Sequence, residues 1–133
     1  AVYGYSLTGR KDMARKFKLI KDIYAGFDSR NAEWRPWFRT EKELLRIADP
    51  KVHAASFLHP GRSLLLLVAN YNSHRTDAVL DLDLEKLGFK GKKLTATNEL
   101  LAIPVKLDGN QLAVPLEPVN FTLITVRAEP GKE

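Results

Sequence analysis

The stretch NAEWRPWFR, Asn31 to Arg39, holds both tryptophans of the chain together with Phe38, set among arginines and a proline. Rings of this size stack on sugars or on bases, and guanidinium groups beside them can engage hydroxyls or phosphates. Trp34, Arg35, Trp37, Phe38 and Arg39 are therefore the candidate binding residues. The same side chains have a plainer use. Each large ring removes roughly 150 Å² or more from water when it packs, so the cluster could instead fasten one domain to another. A sugar platform needs the two indoles exposed and coplanar, whereas an interdomain anchor needs them covered.

No catalytic constellation accompanies this cluster. Asp81 and Asp83 would share one face of a strand, with carboxylates about 7 Å apart from the rise of two residues, a spacing that overlaps the separations used by glycosidases. Alternation alone places acids on the wet side of any half-buried strand, and nothing adjacent would raise one carboxyl into the range of a general acid. Asp77 adds a third carboxylate, still too few oxygen ligands for a firm calcium site. His53, His59 and His74 lack zinc-ligand spacing. Ser56, Ser63 and Ser73 lie near histidines, but no G-x-S-x-G elbow presents a serine nucleophile. Gly88, Gly91 and Gly109 form no phosphate loop. The expectation is a chain with no catalytic residues, no metal and no cofactor.

The totals suit one hydrophobic core. At 133 residues, 44% hydrophobic and 28% charged, the chain has an ordinary globular composition, which excludes a mostly disordered polypeptide. Its longest apolar run, Leu64 to Ala69, is far too short to span a membrane. With no cysteine there are no disulfides or thiolate metal sites, and either a reducing or an oxidising compartment remains open. Residues 1–51 carry 12 Lys and Arg against 7 Asp and Glu, while residues 52–133 carry 9 of each. A basic first part can mean a nucleic-acid arm. No RNP-like motif is present, however, and the aromatics are not interleaved with the basic helix positions, so neither nucleic acid nor membrane is an expected partner. The start has no basic region followed by an apolar run, so it is not an intact signal peptide, and its lack of an initiator Met fits trimming and a piece of a longer protein equally well.

The elements that must position the cluster follow from periodicity. Met13, Phe17, Ile20, Tyr24 and Phe27 recur at helical steps, predicting an amphipathic helix over 10–27 with Thr8 as cap and Gly26 near its end. Residues 28–51 read as irregular, and TEKELLRIAD is taken as extended rather than as a helical turn capped by Thr40 with Glu43. After Pro50 the pattern changes to short strands punctuated by turns: VHAASFL, SLLLLVANY, TDAVLDLDL, LTATNEL, IPVKL, QLAVPL and NFTLITVRA. Leu64–Val68 suits a central strand, and Asp108-Gly109 marks a hairpin. The fold class is thus mainly β, an antiparallel sandwich of about seven strands preceded by an amphipathic helix. Residues 1–51 form helix and aromatic linker, and 52–133 the sandwich domain.

KLIKDIYAGFDSRNAEWRPWF, then ADPKVHAASFLHPGRSLLLLVANYNSHRTDAVLDLDLEKLGF and TATNELLAIPV, together resemble the C-terminal end of bacterial glycoside hydrolase-like proteins, including relatives of the glycoside hydrolase 123 group. There a helix at the end of a catalytic barrel leads through an aromatic segment into a β-sandwich. Trp34, Pro36, Trp37 and Phe38 would occupy that segment, and LLLLVANY the central strand. The permuted aromatics and the lack of a glycine turn in TNELLAIP depart from the pattern. The resemblance implies that the catalytic acids belong to an upstream barrel, so none is carried onto this chain. The expected function is a non-catalytic C-terminal accessory sandwich of a carbohydrate-active enzyme, partnered by its own catalytic domain. The alternatives are a stand-alone carbohydrate-binding module using Trp34 and Trp37, and a basic nucleic-acid-binding protein.

Overall fold

The computed structural model describes residues 6–129, with side chains from Ala14 onward. Two compact units divide between Arg30 and Asn31. The first contains one helix, α1 (Ser6–Phe27), which an exposed Lys18–Asp22 pair at 3.1 Å supports across one turn. Thr8 lies inside this helix rather than capping it, and the side chain of Met13 falls outside the described residues. The helix ends at Phe27, one residue after Gly26. Asp28 turns left-handed at φ 62° and donates its N–H to the carbonyl of Ala25, a conformation that a short polar side chain tolerates.

The second unit is the β-sandwich. Its elements run β1 (Glu33–Arg35), α2 (Trp37–Glu43), β2 (Leu45–Ile47), β3 (Val52–His59), β4 (Ser63–Asn70), β5 (Thr76–Leu82), α3 (Leu84–Leu87), β6 (Leu94–Asn98), β7 (Ile103–Pro104), β8 (Lys106–Asp108), β9 (Gln111–Leu116) and β10 (Asn120–Ala128). Sheet A has the order β1-β3-β4-β10-β6-β7 and sheet B the order β2-β5-β9-β8, all pairs antiparallel. The mainly β sandwich expected from alternation is therefore present. Six of the seven segments read from the sequence form the longer strands β3, β4, β5, β6, β9 and β10, and the short strands β1, β2, β7 and β8 lie at the sheet edges.

Register decides which residues form the core. In β3 the even positions Val52, Ala54 and Leu58 face inward, matched by Leu64, Leu66 and Val68 of β4 and by Ile124 and Val126 of β10. From sheet B come Ala78, Leu80, Leu82, Leu112, Val114 and Leu116. α3 seals one end with Leu87, followed by Phe89, both fully buried. Asp83 caps α3 by accepting the N–H of Lys86, and Gly88 stops it in the left-handed region at φ 80°. Gly88 also lies against the β3–β4 turn, where Gly61 donates its N–H to the carbonyl of Leu87.

At the opposite corner a buried amide network ties three segments together. The Asn70 side-chain oxygen accepts both the backbone N–H and the side-chain amide of Asn72, and its own amide donates to the carbonyls of His74 and Glu117. Asn72 reaches on to Asp49 at 3.0 Å and Thr76 at 3.2 Å. The ANYNSHR stretch thereby locks the β4–β5 turn against the approaches to β3 and β10.

Residues 33–47, read from the sequence as linker, supply strands to both sheets. β1 pairs with β3, and β2 pairs with β5. TEKELL is helical in its first half, not extended, because α2 starts at Trp37 after Pro36, and Thr40 is no cap. Its buried hydroxyl bonds the carbonyls of Arg35 and Pro36 and the hydroxyl of Ser56. IPVKL divides at Val105, with β7 in sheet A and β8 in sheet B, so the chain changes sheets there. The DGN hairpin forms as expected, with Asp108 opposite Gln111.

Candidate functional site

The two outward faces of the sandwich differ in chemistry. On sheet B the outward row carries Asp77, Val79 and Asp81 opposite Pro115, Ala113 and Gln111, the mixed surface of a solvated strand. On sheet A the outward rows read Phe57, Leu65 and Thr125, then Ala55, Leu67 and Leu123, then His53, Ala69 and Phe121. Leu65 and Leu123 are fully buried yet stand outside the inter-sheet core. Sheet A thus has packing chemistry on both sides, consistent with the unbroken run of leucines in β4.

The aromatic stretch joins this apolar face. β1 places Trp34 opposite Phe57, with ring centroids 4.8 Å apart. Pro36 ends the strand and sets the start of α2, which lays Trp37 over His53 at 4.3 Å, with Phe38 edge-on to Trp37 at 5.7 Å. Both indoles are about half exposed, Trp34 at 51% and Trp37 at 48%, and Phe38 is at 58%. They are neither buried as in a finished core nor free of neighbours.

The two arginines of the stretch point to another partner. Arg35 Nε donates to Glu43 at 2.8 Å and Arg39 Nε at 2.9 Å, while Arg35 also reaches Glu33 at 3.1 Å. Hydrogen bonds from Arg39 and Arg35 hold the Glu43 carboxyl at about 2, well below the usual range, and the Arg39 guanidinium is raised in turn by its Glu43 bond. This cluster clamps β1 to α2. It therefore orients the rings, and the arginine forks are already engaged by carboxylate.

Glu41, not singled out by the sequence, has a similar role on the next turn. Its carboxylate accepts the backbone N–H of Ala54 at 3.1 Å and the His53 Nδ1–H at 3.0 Å. β1 covers β3 only from Ser56 to Leu58. Glu41 takes over where β1 stops and blocks an open sheet edge. Because a carboxylate only accepts, the proton of a neutral His53 sits on Nδ1 and leaves Nε2 as the free acceptor.

Tyr71 completes the row. Its ring lies 6.0 Å from His53, its backbone N–H bonds the carbonyl of Lys51, and its side chain is 63% exposed. Trp37, Pro50, Lys51, His53 and Tyr71 line a hollow of about 400 Å³. On the far side of Tyr71, Leu67, Ala69, Val119 and Phe121 line an apolar one of about 310 Å³. Periodicity does not reveal this grouping, because its members come from four segments that only the sheet register brings together.

The other candidates stay apart. Asp81 remains on β5, but Asp83 has left the strand to cap α3, so they are not paired carboxylates on one strand face. His53 faces outward on β3, His59 is buried at its end, and His74 lies in the β4–β5 turn. Ser56 is buried and bonded to Thr40. Among the described residues no group of His, Cys, Asp or Glu is arranged to hold a metal ion. A large open hollow of about 920 Å³ lies near α3 and is lined by charges of both signs, including Lys42, Glu43, Asp81 and Lys86.

No family model matches the chain, and no curated protein matches it. Solved structures do. An Anoxybacillus alpha-amylase, presented as a new glycosyl hydrolase subclass, superposes over 92% of this chain with a TM-score of 0.63 and 11% identity. The fold is one that glycoside hydrolases carry. A β-L-arabinopyranosidase of glycoside hydrolase family 27 from Geobacillus stearothermophilus matches over 67% of the chain at 19% identity and a TM-score of 0.47. The chain spans 24% of the amylase chain and 20% of the arabinopyranosidase chain.

Proposed function

We propose that this chain is a non-catalytic accessory sandwich of a carbohydrate-active enzyme, C-terminal to a catalytic domain in the same protein and fastened to it through the end of sheet A where Trp34 lies beside Phe57. The observation that carries this reading is the exposure of Trp34 at one end of sheet A. An indole left 51% exposed beside Phe57 gains stability when covered, whereas the sheet B face with Asp77 and Asp81 suits water. The amylase likeness supports the reading by placing the same fold within a much longer glycosidase chain. The kinship to glycoside hydrolase 123 relatives belongs to this proposal and rests on the residue resemblance.

The one strongly shifted carboxyl among the described residues, Glu43, is held ionised by two arginines, the wrong direction for a general acid at neutral pH. The test has two parts. The purified chain should hydrolyse none of a panel of nitrophenyl glycosides, and the coding sequence upstream of Ala1 should encode a barrel-sized domain. Turnover by the purified chain at rates typical of a glycosidase would overturn the reading, as would an upstream start codon with no such domain.

A second reading, a free-standing carbohydrate-binding module, draws on the half exposure of Trp34 and Trp37. It predicts that the chain alone is retarded in polysaccharide affinity gels and that Trp34→Ala and Trp37→Ala each abolish the retardation.

A further inference from the structure

We propose that the two hollows on either side of Tyr71 are adjoining subsites for a neutral pyranose oligosaccharide, with Trp37 and Tyr71 as its stacking rings. The site differs from a Trp34–Trp37 platform and does not depend on whether the chain packs against a catalytic domain. Trp34 sits over Phe57, and Phe57 is four residues along β3 from His53, about 13 Å at the usual strand rise. The apolar anchor and the saccharide groove therefore occupy opposite ends of one sheet face.

The chemistry of the first hollow fits a sugar ring. A pyranose has an apolar C–H face and a rim of hydroxyls, so it asks for an aromatic wall with hydrogen-bonding groups at the edge. Trp37 and Tyr71 supply walls that remain about half or more exposed, at 48% and 63%. His53 lies between them, at 4.3 and 6.0 Å from their rings. Its Nδ1 is held by Glu41, so Nε2 is left to bond a hydroxyl, and Lys51 adds a donor on the rim. The Glu41 carboxylate next to His53 offsets positive charge in this corner, which favours an uncharged ligand over an anionic one.

The second hollow extends the groove along the sheet end. Tyr71 belongs to both linings, so a chain bound at one side passes over its ring to the other. Ala69 and Phe121, directly paired across β4 and β10, form part of its lining. Val119 stands at its rim at φ 47°, 72% exposed, with its N–H bonded to the carbonyl of Asn72. A β-branched residue in that region is strained, and strain of this kind persists only where the surroundings fix it. The fixing elements are on hand. Asn70 holds the carbonyls of His74 and Glu117, and Asp49 accepts from Asn72 and from the Lys51 N–H. The groove is preformed, which lowers the entropy lost on binding.

The experiment titrates the isotopically labelled full chain with maltohexaose, cellohexaose, xylohexaose and mannohexaose, following the Trp37 indole N–H by NMR. At least one neutral oligosaccharide should shift that signal in a saturable way. Tyr71→Ala and Trp37→Ala should each weaken binding about tenfold, the effect of removing one stacked ring. Trp34→Ala should leave the affinity within about twofold. Thermal melts accompany each variant, and because Tyr71 is largely exposed its variant should melt with the parent. A silent Trp37 signal with all four probes would overturn the proposal. So would unchanged affinity in a folded Tyr71→Ala chain, loss of binding in Trp34→Ala alone, or binding confined to an oligogalacturonate control.

Discussion

Replacing Asn70 by Ala tests whether the polar corner of ANYNSHR is a structural lock. Asn70 is 1% exposed, and its side chain makes four hydrogen bonds, accepting two from Asn72 and donating to the carbonyls of His74 and Glu117. At about 1 kcal/mol net for each bond, independent losses would reach about 4 kcal/mol. Some of that is recovered. The Asn72 amide keeps Asp49 and Thr76, leaving the buried Asn72 backbone N–H as the principal orphan. The expected loss is therefore about 2–3 kcal/mol, or roughly 10–15 °C in Tm for a sandwich of this size. Urea melts at neutral pH measure it directly. Asn70→Asp probes the same corner by charge, because its carboxylate would face the carbonyls of His74 and Glu117. Its folded pKa would be raised, so stability present below the unfolded value of about 3.9 is lost as pH rises through the folded one. A loss under about 1 kcal/mol in Asn70→Ala would refute the lock.

Other perturbations separate packing from conformation and charge. Gly88→Ala would put a Cβ 2.8 Å from the Gly61 N and 2.9 Å from its Cα, in a left-handed residue, and should cost about 2–5 kcal/mol. Gly91, at φ 76° with open space around it, should lose only about 1–2 kcal/mol on the same change; equal losses by urea titration would remove the Gly61 contact as the cause. Glu43 is lowered from 4.5 to about 2 by Arg39 and Arg35, so its contribution is present above the unfolded value and disappears as pH falls through the folded one. The stability difference between the parent and Glu43→Gln should thus be constant above pH 4.5 and close to nil near pH 2. It should also shrink in molar salt, because the pair is exposed.

Much of the sandwich was legible because its long strands carry a period. β5 alternates buried and exposed positions along Thr76–Leu82, and β4 reads as a solid apolar run because both of its faces pack. The edges were not legible. β1 and β2 have three residues each, too few to display alternation, and their place is fixed by pairing with β3 and β5. Likewise α2 lacks a side-chain cap, so its start carries no capping signal. The aromatic stretch was visible as a candidate, but Tyr71 and His53 were not attached to it. Only the pairing of His53 with Ala69, one residue from the end of β4, carries His53 to Tyr71.

Arginines beside tryptophans invite a ligand reading, and Glu43 changes the weight of that reading. A guanidinium fork already filled by carboxylate has few donors left for a hydroxyl or phosphate. Arg35 and Arg39 instead brace the turn at Pro36, and that turn sends Trp34 and Trp37 to different neighbours, Phe57 and His53. The consequence is a division of labour that the spacing of two residues between the indoles conceals. Trp34, half exposed beside Phe57, is a ring that gains from being covered, while Trp37 belongs with His53 and Tyr71 in a hollow that has polar groups at its rim. An anchor and a saccharide contact can therefore coexist on one sheet, and a change at Trp34 should weaken association with a catalytic domain without altering the groove about 13 Å away.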